Sequence, residues 1–187
     1  MLDSFPKLHT DQLDLIQISQ EHLGDIFKLF SDRRVTQFYN ITALTEELEA
    51  QKYLDWFSSR FADKTGIRWG ISLKGHSNII GTLGFNNFIK RHRANLGYDL
   101  QADFWNKGYV TEALKAVIEF GFKTLDINRI EAEVMQGNTA SERVLAKLGF
   151  KNEGILRAWM YWNDKHYDIT MFSLLHSDFK YIENYGM

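Results

Sequence analysis

The chain has 187 residues, 44% hydrophobic and 25% charged, with a formal net charge of −2 and no cysteine. That length points to a single domain over residues 1–187, and the hydrophobic share is enough for a full core. The near-neutral balance gives no electrostatic reason to expect nucleic acid or an anionic membrane as partner, and the lack of cysteine excludes disulfides, thiol nucleophiles and zinc–thiolate sites.

The first residues, Met1 to Lys7, lack the basic-then-apolar profile of a signal peptide, and no apolar run approaches the length of a membrane span. A soluble, cytoplasmic protein is expected. Leu13 to Ile18 is short and β-branched and reads as a first strand. Ser19 caps a helix through Ser31, with His22 where a capping box has Glu or Gln. Thr45 opens a second helix with Glu46, Glu47 and Glu49 at its positive end and an apolar stripe of Tyr53, Leu54, Phe57 and Phe61. Arg68 to Leu73, Ile79 to Phe85 and Arg93 to Leu100 alternate as strands of an antiparallel meander. Lys90-Arg91-His92-Arg93 lies in the turn before the last of them. The six histidines are scattered without metal-ligand spacing, so no metal site is expected.

Phe104 to Ala113 follows, a loop containing Gly108 that runs straight into a helix with Ala113, Leu114, Val117, Ile118, Gly121 and Leu125 on one face. Unpaired N–H groups at the positive end of that helix form a seat for a phosphate. Asn128 to Val134 is a strand parallel to the third meander strand, because a right-handed crossover joins them. Asn138-Thr139-Ala140-Ser141 caps a short helix, Gly149 ends it, and Lys151–Trp162 with His166–Leu175 form a terminal hairpin. The tail after Asp178 reads either as a short helix or as frayed chain. The elements make an α+β, mixed-layer fold with helices on both faces of a sheet.

Three motifs, in this order, resemble the GNAT N-acetyltransferase superfamily and most closely its RimJ/RimL-like branch. They are Gly97-Tyr98, the run Trp105-Asn106-Lys107-Gly108-Tyr109-Val110-Thr111-Glu112-Ala113, and Asn138-Thr139-Ala140-Ser141 with Lys147-Leu148-Gly149-Phe150. The resemblance implies a GNAT-like fold, a twisted and mostly antiparallel sheet splayed where the cofactor enters. It also implies transfer of an acetyl group from acetyl-CoA to a primary amine, on a protein N-terminus such as a ribosomal protein or on a small molecule. Trp105, Asn106, Lys107, Gly108, Tyr109, Val110 and Thr111 would hold the pyrophosphate, backbone on Tyr98 to Leu100 the pantetheine arm, and Asn138 a pantetheine amide.

Leu145 stands where many members have the tyrosine that protonates the departing thiolate, which leaves Ser141 as the acid. Asn95 stands where many RimJ/RimL-like sequences have an acidic residue. Asp99, at the strand end, is the first choice of base; Glu131, Glu133 and a water chain stay open, and Glu112 serves helix and loop structure. Tyr39 and Trp56 are candidates for the acceptor wall. Trp159 and Tyr161 either line the acceptor mouth, pack a homodimer contact or simply alternate between core and surface. The alternative function is an acyl-CoA-binding sensor or interaction domain with weakened chemistry.

Overall fold

The fold comes from a computed structural model, which describes residues 4–179. The apolar alternation resolves into strands β1 (Leu8–His9), β2 (Leu13–Gln17), β3 (Ile67–Leu73), β4 (Ile79–Ile89), β5 (Arg93–Leu100), β6 (Arg129–Met135), β7 (Lys151–Trp162) and β8 (Lys165–Leu175). They form one open sheet of eight strands in the order β1-β2-β3-β4-β5-β6-β8-β7. Helices α1 (Leu23–Ser31), α2 (Arg33–Thr36), α3 (Gln51–Ala62), α4 (Tyr109–Lys123) and α5 (Thr139–Lys147) connect them. Period-two alternation explains the layering. Leu13 and Leu15 of β2 join the core beneath α4 and α5, while Ile16 packs with α1 and α3 on the opposite face.

All neighbouring strands are antiparallel except β5 and β6. Those two pair in parallel, as the crossover rule predicts, but only over Arg93↔Arg129, Ala94↔Ile130 and Asn95↔Glu131. Beyond Asn95 and Glu131 the strands part, so the sheet opens between the C-terminal ends of β5 and β6 and leaves backbone groups there without a strand partner.

Several elements differ from expectation. The helix expected from Ser19 begins as a 3-10 turn over Gln20–His22, and α1 follows it. His22 does fill the capping box, since its Nδ1 accepts from the Ser19 N–H at 3.0 Å. The second helix starts later than Thr45, as a 3-10 turn over Glu47–Ala50 leading into α3. Of its glutamates, Glu49 folds back to accept from the N–H groups of Thr45 and Glu46 at 2.7 and 3.1 Å. Strand β4 continues past Phe85 to Ile89, bending at a register shift between Phe85 and Asn87. Strand β1 and helix α2 had no expectation, because two and four residues are too few to carry a period.

The terminal hairpin turns on Asn163 and Asp164, at φ 49° and 55°, a two-residue turn that these side chains tolerate. Residues 176–179 are helical. The expectations for residues 1–3 and for the tail beyond Phe179 lie outside the described residues. No helix among the described residues is long and apolar enough to cross a membrane.

Candidate active site

The loop between β5 and α4 is shaped by two residues with left-handed backbone, Asn106 at φ 61° and Gly108 at φ 84°. The first α-helical bond runs from the Glu112 N–H to the Gly108 carbonyl at 3.0 Å. The N–H groups of Tyr109, Val110 and Thr111 precede it and have no helical acceptor. A Cβ built on Gly108 meets no atom within 4 Å, so the space in front of these donors is open. Trp105 ties the loop to the strand: its indole Nε1 donates to the Leu100 carbonyl at 2.8 Å. Open space, convergent N–H groups and the positive helix end together fit a pyrophosphate.

The loop forms one end of a cavity of about 630 Å³. Its walls include Tyr98, Asp99 and Leu100 on β5, Trp105, Asn106, Gly108, Tyr109, Val110 and Thr111 on the loop and α4, and Asn138 and Ser141 at the start of α5. Lys107 is not part of this wall; its ammonium lies 5.2 Å from the centre of the Phe104 ring. Arg34, Phe38, Arg143 and Lys147 also line the cavity and had no expected role. Arg143 and Lys147 lie one turn apart on α5, away from its core residue Leu145, and that spacing was the signal available for them. Asn138 is the N-cap of α5, accepting from the Ser141 N–H at 3.2 Å. Leu145 is fully buried.

Alternation along β5 sends Tyr98 toward the α4 face and Asp99 toward the face of α1 and α3. Asp99 and Arg68 are buried and form an ion pair. Burial raises the Asp99 carboxyl pKa, while the Arg68 charge and hydrogen bonds from Thr82 and Arg68 work against that rise. Arg68 Nε donates to Thr82 Oγ1 at 3.0 Å and Nη1 to Asn86 Oδ1 at 2.9 Å. Asn86 Nδ2 donates to Asn95 Oδ1 at 2.9 Å, and Asn95 Nδ2 to Glu133 Oε1 at 3.0 Å. Trp159 Nε1 completes the line by donating to Glu133 Oε2 at 3.0 Å. A continuous side-chain chain thus runs from Asp99 across the parting strands to the terminal hairpin.

Gly97 makes the chain possible. A Cβ there would lie 2.8 Å from both Arg68 Nη1 and Asn86 Nδ2. Glu131 is placed differently from Glu133, since it is held by Arg93 Nη1 at 2.8 Å and Arg129 Nε at 3.1 Å. Glu112 accepts from Thr10 Oγ1, the Gln12 N–H and Gln12 Nε2 at 2.5, 2.8 and 2.7 Å, a structural role.

Of the acceptor candidates, Tyr39 lines the cavity and stacks on Phe30, and burial raises its phenol pKa. Trp159 reaches the polar chain through Glu133. Trp56 and Tyr161 are exposed and lie outside the cavity wall; Trp56 packs edge-on to Phe57, and Tyr161 donates to Asp164.

Residues 12–151 match the family model described as an acetyltransferase (GNAT) domain. The chain is 37% identical over 172 residues to the uncharacterized N-acetyltransferase YoaA of Bacillus subtilis (strain 168), covering 91% of this chain and 97% of that one. It is 34% identical over 94 residues, about half of each chain (49% and 48%), to the [ribosomal protein uS5]-alanine N-acetyltransferase of Escherichia coli (strain K12). Its fold matches the solved structure of RimL, the ribosomal L7/L12 α-N-protein acetyltransferase in complex with coenzyme A, with a TM-score of 0.80 at 19% identity, covering 91% of this chain and 97% of that one. The chain belongs to the GNAT acetyltransferase family and is an acetyl-CoA-dependent N-acetyltransferase.

Proposed function

We propose that the acceptor is the primary amine at a protein N-terminus, and that transfer takes place in the opening between β5 and β6. The observation that carries this reading is the parting of the two strands beyond Asn95 and Glu131, with the start of α4 lining the cavity at one side and Glu133 bonded to Asn95 across the parting strands. The relative that acetylates the alanine of ribosomal protein uS5 supports a protein amine over a small one.

Acetyl-CoA supplies an acetyl group activated as a thioester. The N–H groups of Tyr109, Val110 and Thr111 hold its pyrophosphate, and the free edge of β5 at Tyr98 and Asp99 pairs with the pantetheine arm as an added strand would. Leu100 contributes less to that edge, since its carbonyl already accepts from Trp105. Asn138, whose Oδ1 caps α5, offers Nδ2 to a pantetheine amide. Lys107 contributes charge at the mouth of the loop.

We place the base at Glu133 in preference to Asp99. A proton on Asp99 would leave Arg68 as an uncompensated buried charge, costing several kcal/mol. Glu131 is committed to two arginines, whereas Glu133 is held by two neutral donors and stays on the open side. Ser141 is the donor to the departing thiolate. Tyr39 and Trp159 border the acceptor, and the exposed Trp56 and Tyr161 lie outside the cavity wall.

The test is thiol release from acetyl-CoA with peptides bearing ribosomal-protein N-termini alongside polyamines and amino acids, with product masses measured. Acetylation at the peptide α-amine is expected. Turnover confined to small amines would overturn the protein-acceptor reading. CoA binding with no turnover on any amine would favour a sensor domain.

A further inference from the structure

Helix α5 has no phenol near the cavity, since Leu145 fills that place and is fully buried. A phenol reaches the start of α5 from the sheet instead. Tyr98 Oη is hydrogen-bonded to Ser141 Oγ, and both residues line the cavity. The Ser141 carbonyl is a more distant partner of the same hydroxyl, at 3.4 Å, and the Ser141 N–H is engaged by Asn138 Oδ1. Ser141 is therefore gripped from two sides, its backbone by the helix cap and its hydroxyl by the strand.

The direction of the hydroxyl bond follows from chemistry. A phenol is a more acidic donor than an alcohol. Burial pushes the Tyr98 pKa up to about 12, so the phenol keeps its proton. Tyr98 donates, Ser141 Oγ accepts, and the hydroxyl hydrogen of Ser141 is left to turn into the cavity. We infer that Tyr98 is a positioning residue that fixes Ser141 as the hydrogen-bond donor to the departing CoA thiolate. This rests on the assignment of Ser141 made above. When the acyl carbon–sulfur bond breaks, its electron pair goes to sulfur. The sulfur gains a proton through Ser141 from solvent, matching the proton that the amine releases to solvent through Glu133. Tyr98 ends the cycle with the proton it began with. The chain thereby replaces the helix tyrosine with a strand tyrosine acting through a serine.

A readout that needs no acceptor is the titration of the CoA thiol bound to the enzyme, followed by thiolate ultraviolet absorbance. In the unmodified protein the midpoint should lie below that of a free thiol, about 8.5. Tyr98→Phe, which keeps the ring, and Ser141→Ala should each raise it by about half a unit to one unit. The double variant should rise no further than the larger single change. In turnover, Tyr98→Phe should lower kcat about tenfold while KM for acetyl-CoA stays within about twofold.

Additive midpoint shifts, or no shift in Tyr98→Phe, would overturn the inference. A ring-fluorinated tyrosine at position 98, a stronger donor of nearly the same shape, should move the midpoint down; an unchanged midpoint also counts against it. If the unmodified protein turns over no amine, the functional reading fails, and the titration still decides the role of Tyr98.

Discussion

Gly108 works by having no side chain in front of the helix donors. Its backbone is left-handed and the space beside it is empty, so Gly108→Asp meets no steric barrier. The left-handed φ costs about 1 kcal/mol. The larger effect is a carboxylate placed where the proposed pyrophosphate seat lies. CoA affinity should fall at least about tenfold by calorimetry, while Tm moves by only a few degrees. Unchanged affinity would remove the loop as the anion seat. Gly97 is needed for a different reason, since the Arg68 guanidinium and the Asn86 amide lie against its Cα. Gly97→Ala should cost about 1–3 kcal/mol of stability. It should also depress turnover more than CoA affinity, because the displaced groups lead through Asn95 to Glu133. Equal losses of kcat and affinity would mean that the polar chain does not serve the acceptor side.

Helix α4 links the proposed cofactor seat to the N-terminal edge of the sheet. Burial alone would raise the Glu112 pKa, but the hydrogen bonds from Thr10 and Gln12 outweigh it and hold the carboxyl below its ordinary value. Glu112→Ala should remove about 1–3 kcal/mol, at about 2–4 °C of Tm per kcal/mol. Hydrogen exchange should rise in β1 and β2 ahead of the rest of the sheet; a uniform rise would refute a local staple. The same contrast explains what could be read from the chain. The proposed anion seat is local: a left-handed glycine, a helix start and its apolar face occur within one short run, so the loop geometry from Trp105 to Ala113 was legible. The proposed acceptor face is not local. Arg68, Asn86, Asn95, Glu133 and Trp159 come from β3, β4, β5, β6 and β7, and no spacing in the sequence marks them as neighbours. Asp99 looked free at a strand end because its partner Arg68 sits two strands away in the sheet.

At the scale of the whole sheet, the opening between β5 and β6 needs a closed end, and charged side chains hold it. Arg93 and Arg129 sit opposite each other in the first parallel pairing, at the end away from the opening, and share Glu131. Arg129 also grips Glu153 on β7, whose carboxylate accepts from Ser173 Oγ on β8 at 2.6 Å, so four strands are tied at one point. The hydrogen bond from Arg129, then that from Ser173, lowers the Glu153 pKa from 4.5 to about 2. A carboxyl lowered in the folded state stabilises fully above its unfolded pKa, and that contribution is lost as pH falls from 4.5 toward 2. Glu153 is 40% exposed, so solvent screening limits the pair to about 1 kcal/mol or less. Glu153→Gln should therefore lower Tm by a few degrees at neutral pH, and its Tm should fall less steeply than that of the unmodified protein between pH 4.5 and 2. Raising the salt concentration should narrow the neutral-pH difference. Parallel Tm curves across that acid window would show that the Arg129–Glu153 pair does not carry the acid sensitivity of the closed end.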